Sequence, residues 1–186
     1  ENEEYDSLTS VISTGEENRQ GGFDLDDKHI KYGIFPFWGL VDNNSAAATQ
    51  LSQEDVERLD TLCWRALKNQ TTSRSKLGQE PRLYLRVEYK PENYHIGGLH
   101  EMVDLSDESE EQLRSVSDVA VDATDLVGAL DNADDRIETI HIVGDDRLTI
   151  DIGDETIRGD ELAAHLEAEG HDVHQIDVLE ERDIAA

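Results

Sequence analysis

Arg82-Leu83-Tyr84-Leu85-Arg86-Val87-Glu88-Tyr89-Lys90 alternates without a break. Leu83, Leu85, Val87 and Tyr89 fall on one side of an extended chain, and Arg82, Tyr84, Arg86, Glu88 and Lys90 fall on the other. A period of two marks a strand with one face buried and one turned outward. The spacing predicts a half-buried strand over 82–90 whose outer face is basic and aromatic.

Before it lies a polar loop, 69–81, with no acid until Glu80. Before the loop, Val56, Leu59, Leu62, Cys63, Ala66 and Leu67 recur at helical spacing. Ser52, with Asp55 three residues on, is a start signal. Glu54 and Asp55 suit the positive end of a helix, and Arg65 and Lys68 suit the negative end. The pattern predicts a helix over 52–68 that stops near Asn69.

Residues 30–41 are apolar on both alternating sets, which predicts a strand covered on both sides, with a bulge or unpaired edge at Pro36. Asp42 to Ser45 closes it. Residues 1–29 are polar and acidic, and read as a flexible loop or insertion with one apolar piece, Leu8 to Ile12. After Pro91 the character changes. Residues 106–111 read as an acidic linker. A strand at 116–121, a helix near 124–133, a hairpin pairing 136–143 with 147–152 around Asp145-Asp146, a helix near 159–169 and a strand at 173–179 follow. Gly170 stops the second of these helices.

Charge is distributed unevenly. The chain of 186 residues carries 44 acids against 16 Lys and Arg, for a formal net charge of -28. Residues 65–90 nevertheless hold seven basic side chains and two acidic ones. An island of positive sign on an anionic surface is a docking point for a polyanion. Acids interspersed with apolar patterns, and few Lys, point to a cytoplasm with molar salt, where the Debye length is about 3 Å. With a single cysteine, Cys63, no intramolecular disulfide and no cysteine metal cluster can form. Cys63 falls on the apolar helix face and reads as a structural thiol. No signal peptide and no apolar run near membrane-spanning length is present, so a soluble, cytoplasmic chain is expected with no membrane partner. It starts at Glu1 and not Met, which reads as a processed or truncated product.

The loop and its flanking strand carry the candidate site. Single-stranded nucleic acid is held by cations and hydroxyls along its backbone and by flat side chains against its bases. Thr71, Thr72, Ser73, Arg74, Ser75, Lys76 and Gln79 supply the first two, and Tyr84 the third. A second reading is a salt-adapted interaction module whose basic island docks an acidic protein. A third is a metal-dependent hydrolase using Asp145, Asp146, Asp151, Asp154 and Glu155. These lack the glycine and spacing of an EF-hand loop. His171 and His174 are spaced like a helical metal pair but straddle a predicted helix end. No cofactor motif is present, and no metal is expected.

Two stretches carry a resemblance. Lys31-Tyr-Gly-Ile-Phe-Pro-Phe-Trp-Gly-Leu-Val-Asp-Asn-Asn-Ser-Ala, followed by Leu51-Ser-Gln-Glu-Asp-Val-Glu, is one. Asn69-Gln-Thr-Thr-Ser-Arg-Ser-Lys-Leu-Gly-Gln-Glu-Pro-Arg-Leu-Tyr-Leu-Arg-Val-Glu-Tyr is the other. Together they resemble the repeated crRNA-binding backbone subunit of the type I-B CRISPR interference complex (Cascade), in a haloarchaeal version. The match is dense from about 23 to 105. It implies an α+β fold with an RRM-like (ferredoxin-like) palm: residues 30–105 as its second half, and 106–186 as an acidic C-terminal αββαβ segment. The family's first strand and helix find no counterpart, so the chain looks like the C-terminal portion of a longer subunit. The resemblance also implies a non-enzymatic protein. Its partners would be crRNA, copies of itself in a helical filament, other subunits of the complex, and target DNA through guide pairing, in antiviral defence. The Thr-Thr-Ser-Arg-Ser-Lys segment, Gln79 and Arg82 match the family's basic loop, and the match implies phosphate contacts from Arg74 and Lys76 and hydrogen bonds to phosphate or ribose from Thr72, Ser73 and Gln79. Arg86 and Lys68 complete the implied set, or serve a cross-strand pair and the helix terminus instead.

Overall fold

In the computed structural model, residues 33–70, 79–91, 93–106 and 115–179 are described in full, and 3–12 and 21–30 as backbone. The fold is α+β, as expected, and compatible with a ferredoxin-like palm.

The alternating stretch forms β3 (Leu83–Tyr89). It pairs antiparallel with β6 (Ile137–Gly144), placing Leu85 opposite Ile142 and Val87 opposite Ile140. β6 pairs in parallel with β9 (Val173–Gln175). Parallel neighbours need a crossover. Here it runs through β7 (Thr149–Ile152), β8 (Glu155–Arg158) and α4 (Leu162–Glu169). A second sheet has the order β4 (Asp104–Leu105), β5 (Ala120–Asp122), β7, β8. α3 (Thr124–Asn132) follows β5, and β5 and β7 are parallel.

One apolar cluster serves both sheets. Ile140 and Ile142 come from the first, Val121 and Ile150 from the second, Leu130 from α3, and Leu162 and Leu166 from α4. Leu83, Leu85, Val87 and Tyr89 pack against it, so the apolar face of β3 is the one the alternation selects. That strand thus shares a sheet and a core with the acidic C-terminal region.

α2 (Gln53–Lys68) starts where Ser52 and Asp55 indicate, and the two form a full capping box. The Asp55 carboxylate accepts from Ser52 N at 2.9 Å, and Ser52 Oγ accepts from Asp55 N at 3.2 Å. Gly170 ends α4 at a φ of 109°, the left-handed region where glycine is at ease.

Five expectations need correction. Residues 33–42 form no strand, although 30–41 reads as a covered one; their apolar side chains are exposed. A strand apolar on both sides needs cover on both sides, and nothing described supplies it. Residues 42–45 do not simply close that strand. The Asp42 carboxylate caps α1 (Asn43–Thr49), accepting from Asn44 N at 2.9 Å and Ser45 N at 3.0 Å. Residues 3–12 and 21–30, read as part of a loop, form an antiparallel pair, β1 (Glu3–Ile12) and β2 (Gly21–Ile30). The 116–121 strand is shorter, because Val116–Asp118 is a 3-10 turn. β6 and β7 are not a hairpin: β3 and β9 already occupy both edges of β6, so β7 pairs in the other sheet.

Candidate nucleic-acid interface

α2 and β3 bracket the basic segment, and one buried charge fixes how they meet. Asp60, only 3% exposed, sits on the same face of α2 as the buried Trp64. Its Oδ1 accepts from Tyr84 Oη and from Arg86 Nε, both at 2.7 Å, and its Oδ2 accepts from Arg86 Nη2 at 2.8 Å. A two-pronged guanidinium–carboxylate pair is the strong form of this contact. The polar face of β3, expected to turn outward, is thus partly covered by α2.

The network continues across the sheet. Arg86 Nη1 donates to Glu88 Oε2 at 3.2 Å, and His141 Nε2 lies 3.0 Å from the same oxygen. Arg86 pairs in register with His141, and His141 with His174. The two imidazoles meet edge to face, with centroids 5.3 Å apart. Burial, then the neighbouring Arg86, hold the His141 pKa below its ordinary value despite Glu88 and Asp60. Burial and Asp60 push the Tyr84 hydroxyl far up, so it serves as a donor and not as an anion. Burial disfavours the charge on Arg86, but Asp60 and Glu88 more than offset it. Cys63 is half-buried, and burial raises its thiol, which fits a structural role.

A second cluster pins the start of β3. Arg82 reaches Glu80 and Asp145, each at 2.8 Å. Arg147 reaches the same two carboxylates, at 2.8 and 2.9 Å. The result is a closed ring of alternating charge with no net sign. Asp145 N also donates to the Arg82 carbonyl at 2.8 Å, tying the ring to the ladder. Burial works against ionised Asp145, but hydrogen bonds from Arg147 and the charge of Arg82 win, and its pKa falls to about 2.

These contacts sort the candidate residues. Lys68 is the last residue of α2 and exposed, and Gln79 is half-buried just before the ring. Arg82 and Arg86 both point into carboxylates. Thr72, Ser73, Arg74 and Lys76, with Thr71 and Ser75, lie outside the described residues. Sequence reading missed Asp60, Arg147 and His141, and placed Asp145 in a turn and a hydrolase reading instead of an ion-pair ring. The signal for Asp60 was available: it stands one turn after Val56 and one turn before Trp64, an acid inside an apolar stripe, which calls for a cationic partner.

Two of the acids near the β6–β7 turn are used elsewhere. Asp145 belongs to the ring, and Asp151 Oδ1 accepts from Thr156 at 2.7 Å. Among the described residues no group of three side chains is placed to hold a metal. His171 and His174 are separated in use. Buried His171 donates from Nε2 to Asp131 Oδ1 at 2.9 Å and has Asp134 beside its other nitrogen at 3.0 Å, out of line for a hydrogen bond. No helix among the described residues is long and apolar enough to cross a membrane.

Comparison with known proteins adds the family. A family model described as CRISPR-associated protein Cas7 matches residues 2–124. The chain is 75% identical, over 185 residues, to a CRISPR-associated protein Cas7 from Haloferax volcanii, an alignment that takes in all of this chain and 54% of the relative. The chain thus spans about half the length of that curated relative.

Proposed function

The chain belongs to the CRISPR-associated Cas7 family, and from that premise we propose that it is a non-catalytic backbone subunit of a type I-B interference complex, gripping crRNA along its phosphates. Guide–target pairing supplies base identity, so such a subunit needs grip and not base readout. Target DNA is then met through the guide, and neighbouring copies and other subunits complete the complex. The observation that carries this reading is the family match across the basic island, in a chain whose remaining surface is anionic.

The geometry supports a division of labour within the island. Arg82 and Arg86 are engaged by carboxylates at 2.7–2.8 Å, so we assign them the shape of the site. The grip falls to Arg74 and Lys76, with Thr72, Ser73, Gln79 and Lys68 bonding phosphate or ribose. Molar salt screens charge beyond about 3 Å, so contacts must act at hydrogen-bond range, where Arg and hydroxyls serve best. The surrounding acids repel stray nucleic acid, which sharpens selectivity.

The test is fluorescence anisotropy of labelled crRNA in molar KCl, with an acidic protein as competitor. Replacing Arg74 and Lys76 with Ala weakens RNA binding, and the acidic protein fails to displace the RNA. Unchanged affinity in the double variant counts against the assignment, and displacement by the acidic protein favours the interaction-module reading.

A further inference from the structure

The most apolar run of the chain is exposed along its length. No charged residue stands between Gly33 and Val41. Ile34 is 37% exposed, Phe35 59%, Phe37 79%, Trp38 48%, Leu40 49% and Val41 46%. Trp38 leans towards His100, with ring centroids 6.2 Å apart. Single exposed apolar side chains are ordinary, but six in eight positions mark an interaction surface. α2 repeats the pattern. Asp60 is buried against β3 and Trp64 is buried one turn on, whereas Leu59 and Leu62, on the adjoining arc of the same helix, stay 39% and 46% exposed.

Length says what fits there. The alignment that takes in all of this chain leaves 46% of the Haloferax volcanii relative without a counterpart. A family-length polypeptide thus contains nearly as much chain again, while this portion keeps an uncovered apolar strip and an uncovered helix ridge. The strip also reads as a strand needing cover on both faces.

We propose that the strip Ile34–Val41 and the Leu59–Leu62 ridge are the docking surface for the remaining portion of a Cas7-family chain, joined to this one or supplied separately. On docking, the strip becomes an interior strand and the ridge an interior helix face. The inference rests on family membership and not on RNA binding, so either can fail without the other.

Hydroxyl-radical footprinting read by mass spectrometry tests it residue by residue. Two proteins are compared in molar KCl: this chain, and a family-length chain made by joining to it the part of the Haloferax volcanii relative that the alignment leaves uncovered. Oxidation of Phe35, Phe37 and Trp38 falls severalfold in the longer chain, while buried Trp64 stays protected in both and reports an intact α2. The intact relative, footprinted at the aligned positions, gives the same protection without a fusion. The double variant Phe37→Asp with Trp38→Asp leaves the melting of this chain unchanged and lowers that of the longer one. Equal oxidation in the folded long chain and the intact relative overturns the proposal. So does protection that appears in this chain alone as its concentration rises, which assigns the surface to a second copy.

Discussion

At the scale of residues, a few polar and backbone contacts set the geometry, and their removal has calculable effects. Asp60→Ala leaves a buried guanidinium and a phenol without their partner, and stability falls by about 3–5 kcal/mol in a denaturant melt. Replacing Asp60 and Arg86 together by Leu and Met restores much of that loss, because no buried charge is then orphaned. Two glycines make the opposite point to a third. A Cβ at Gly144 would fall on the Gly159 carbonyl, and one at Gly159 would come within 2.5 Å of the Asp145 carbonyl. Gly144→Ala and Gly159→Ala therefore each cost about 1–3 kcal/mol by overpacking. Gly128, inside α3 with nothing within 4 Å of its missing Cβ, gains about 0.5–1 kcal/mol as Ala. The same melts read all three. Asp145 gives a pH dependence. Its folded pKa, about 2, lies below the unfolded value of 3.8. Its stabilisation is present above pH 3.8 and disappears as the pH falls through 2. Asp145→Asn flattens that part of the acid unfolding curve; an unaltered curve shows that the ring carries no stability.

At the scale of elements, the sequence was most legible where one segment carries its own signal. The period of β3, the box at Ser52, the stripe of α2 and the stop at Gly170 depend on neighbours a few residues away. Each of these elements forms at or within a few residues of where its spacing indicates. Ser52→Ala removes one half of the box and lowers the melting midpoint by an amount worth about 1 kcal/mol; no change means that the helix start is held by something else. Pairing partners were less legible. Asp145-Asp146 is a fair turn signal, but whether β7 folds back on β6 depends on whether the edges of β6 are free, and β9, some thirty residues on, takes one of them. The run 30–41 shows the same limit. Its pattern states what the segment requires and not what is beside it. In the candidate site, alternation put Arg82 and Arg86 on the polar face, but it carries no information on Asp145 or Asp60, which lie 63 and 26 residues away.

At the scale of the whole molecule, the sign of the charge separates two kinds of arginine. A net charge of -28 is tolerable in molar salt, where repulsion is screened within a few ångströms, about 3 Å. Acids pack around the island closely enough to engage Arg82 and Arg86, while the island as a whole stays positive. The composition made the island visible, but only the fold shows Arg82 and Arg86 engaged by carboxylates; Arg74 and Lys76 are the cations proposed to hold the guide. That assignment is the centre of the account, and the salt dependence of crRNA affinity tests it most directly. Affinity is measured from low to molar KCl for the unaltered chain, for Arg74→Ala with Lys76→Ala, and for Arg82→Met. Each lost phosphate contact flattens the log–log slope by about 0.7 for a single strand, so the double variant flattens it by about 1.4. Arg82→Met lowers stability and leaves the slope unchanged. A slope unaltered in the double variant, or flattened by Arg82→Met instead, contradicts the account.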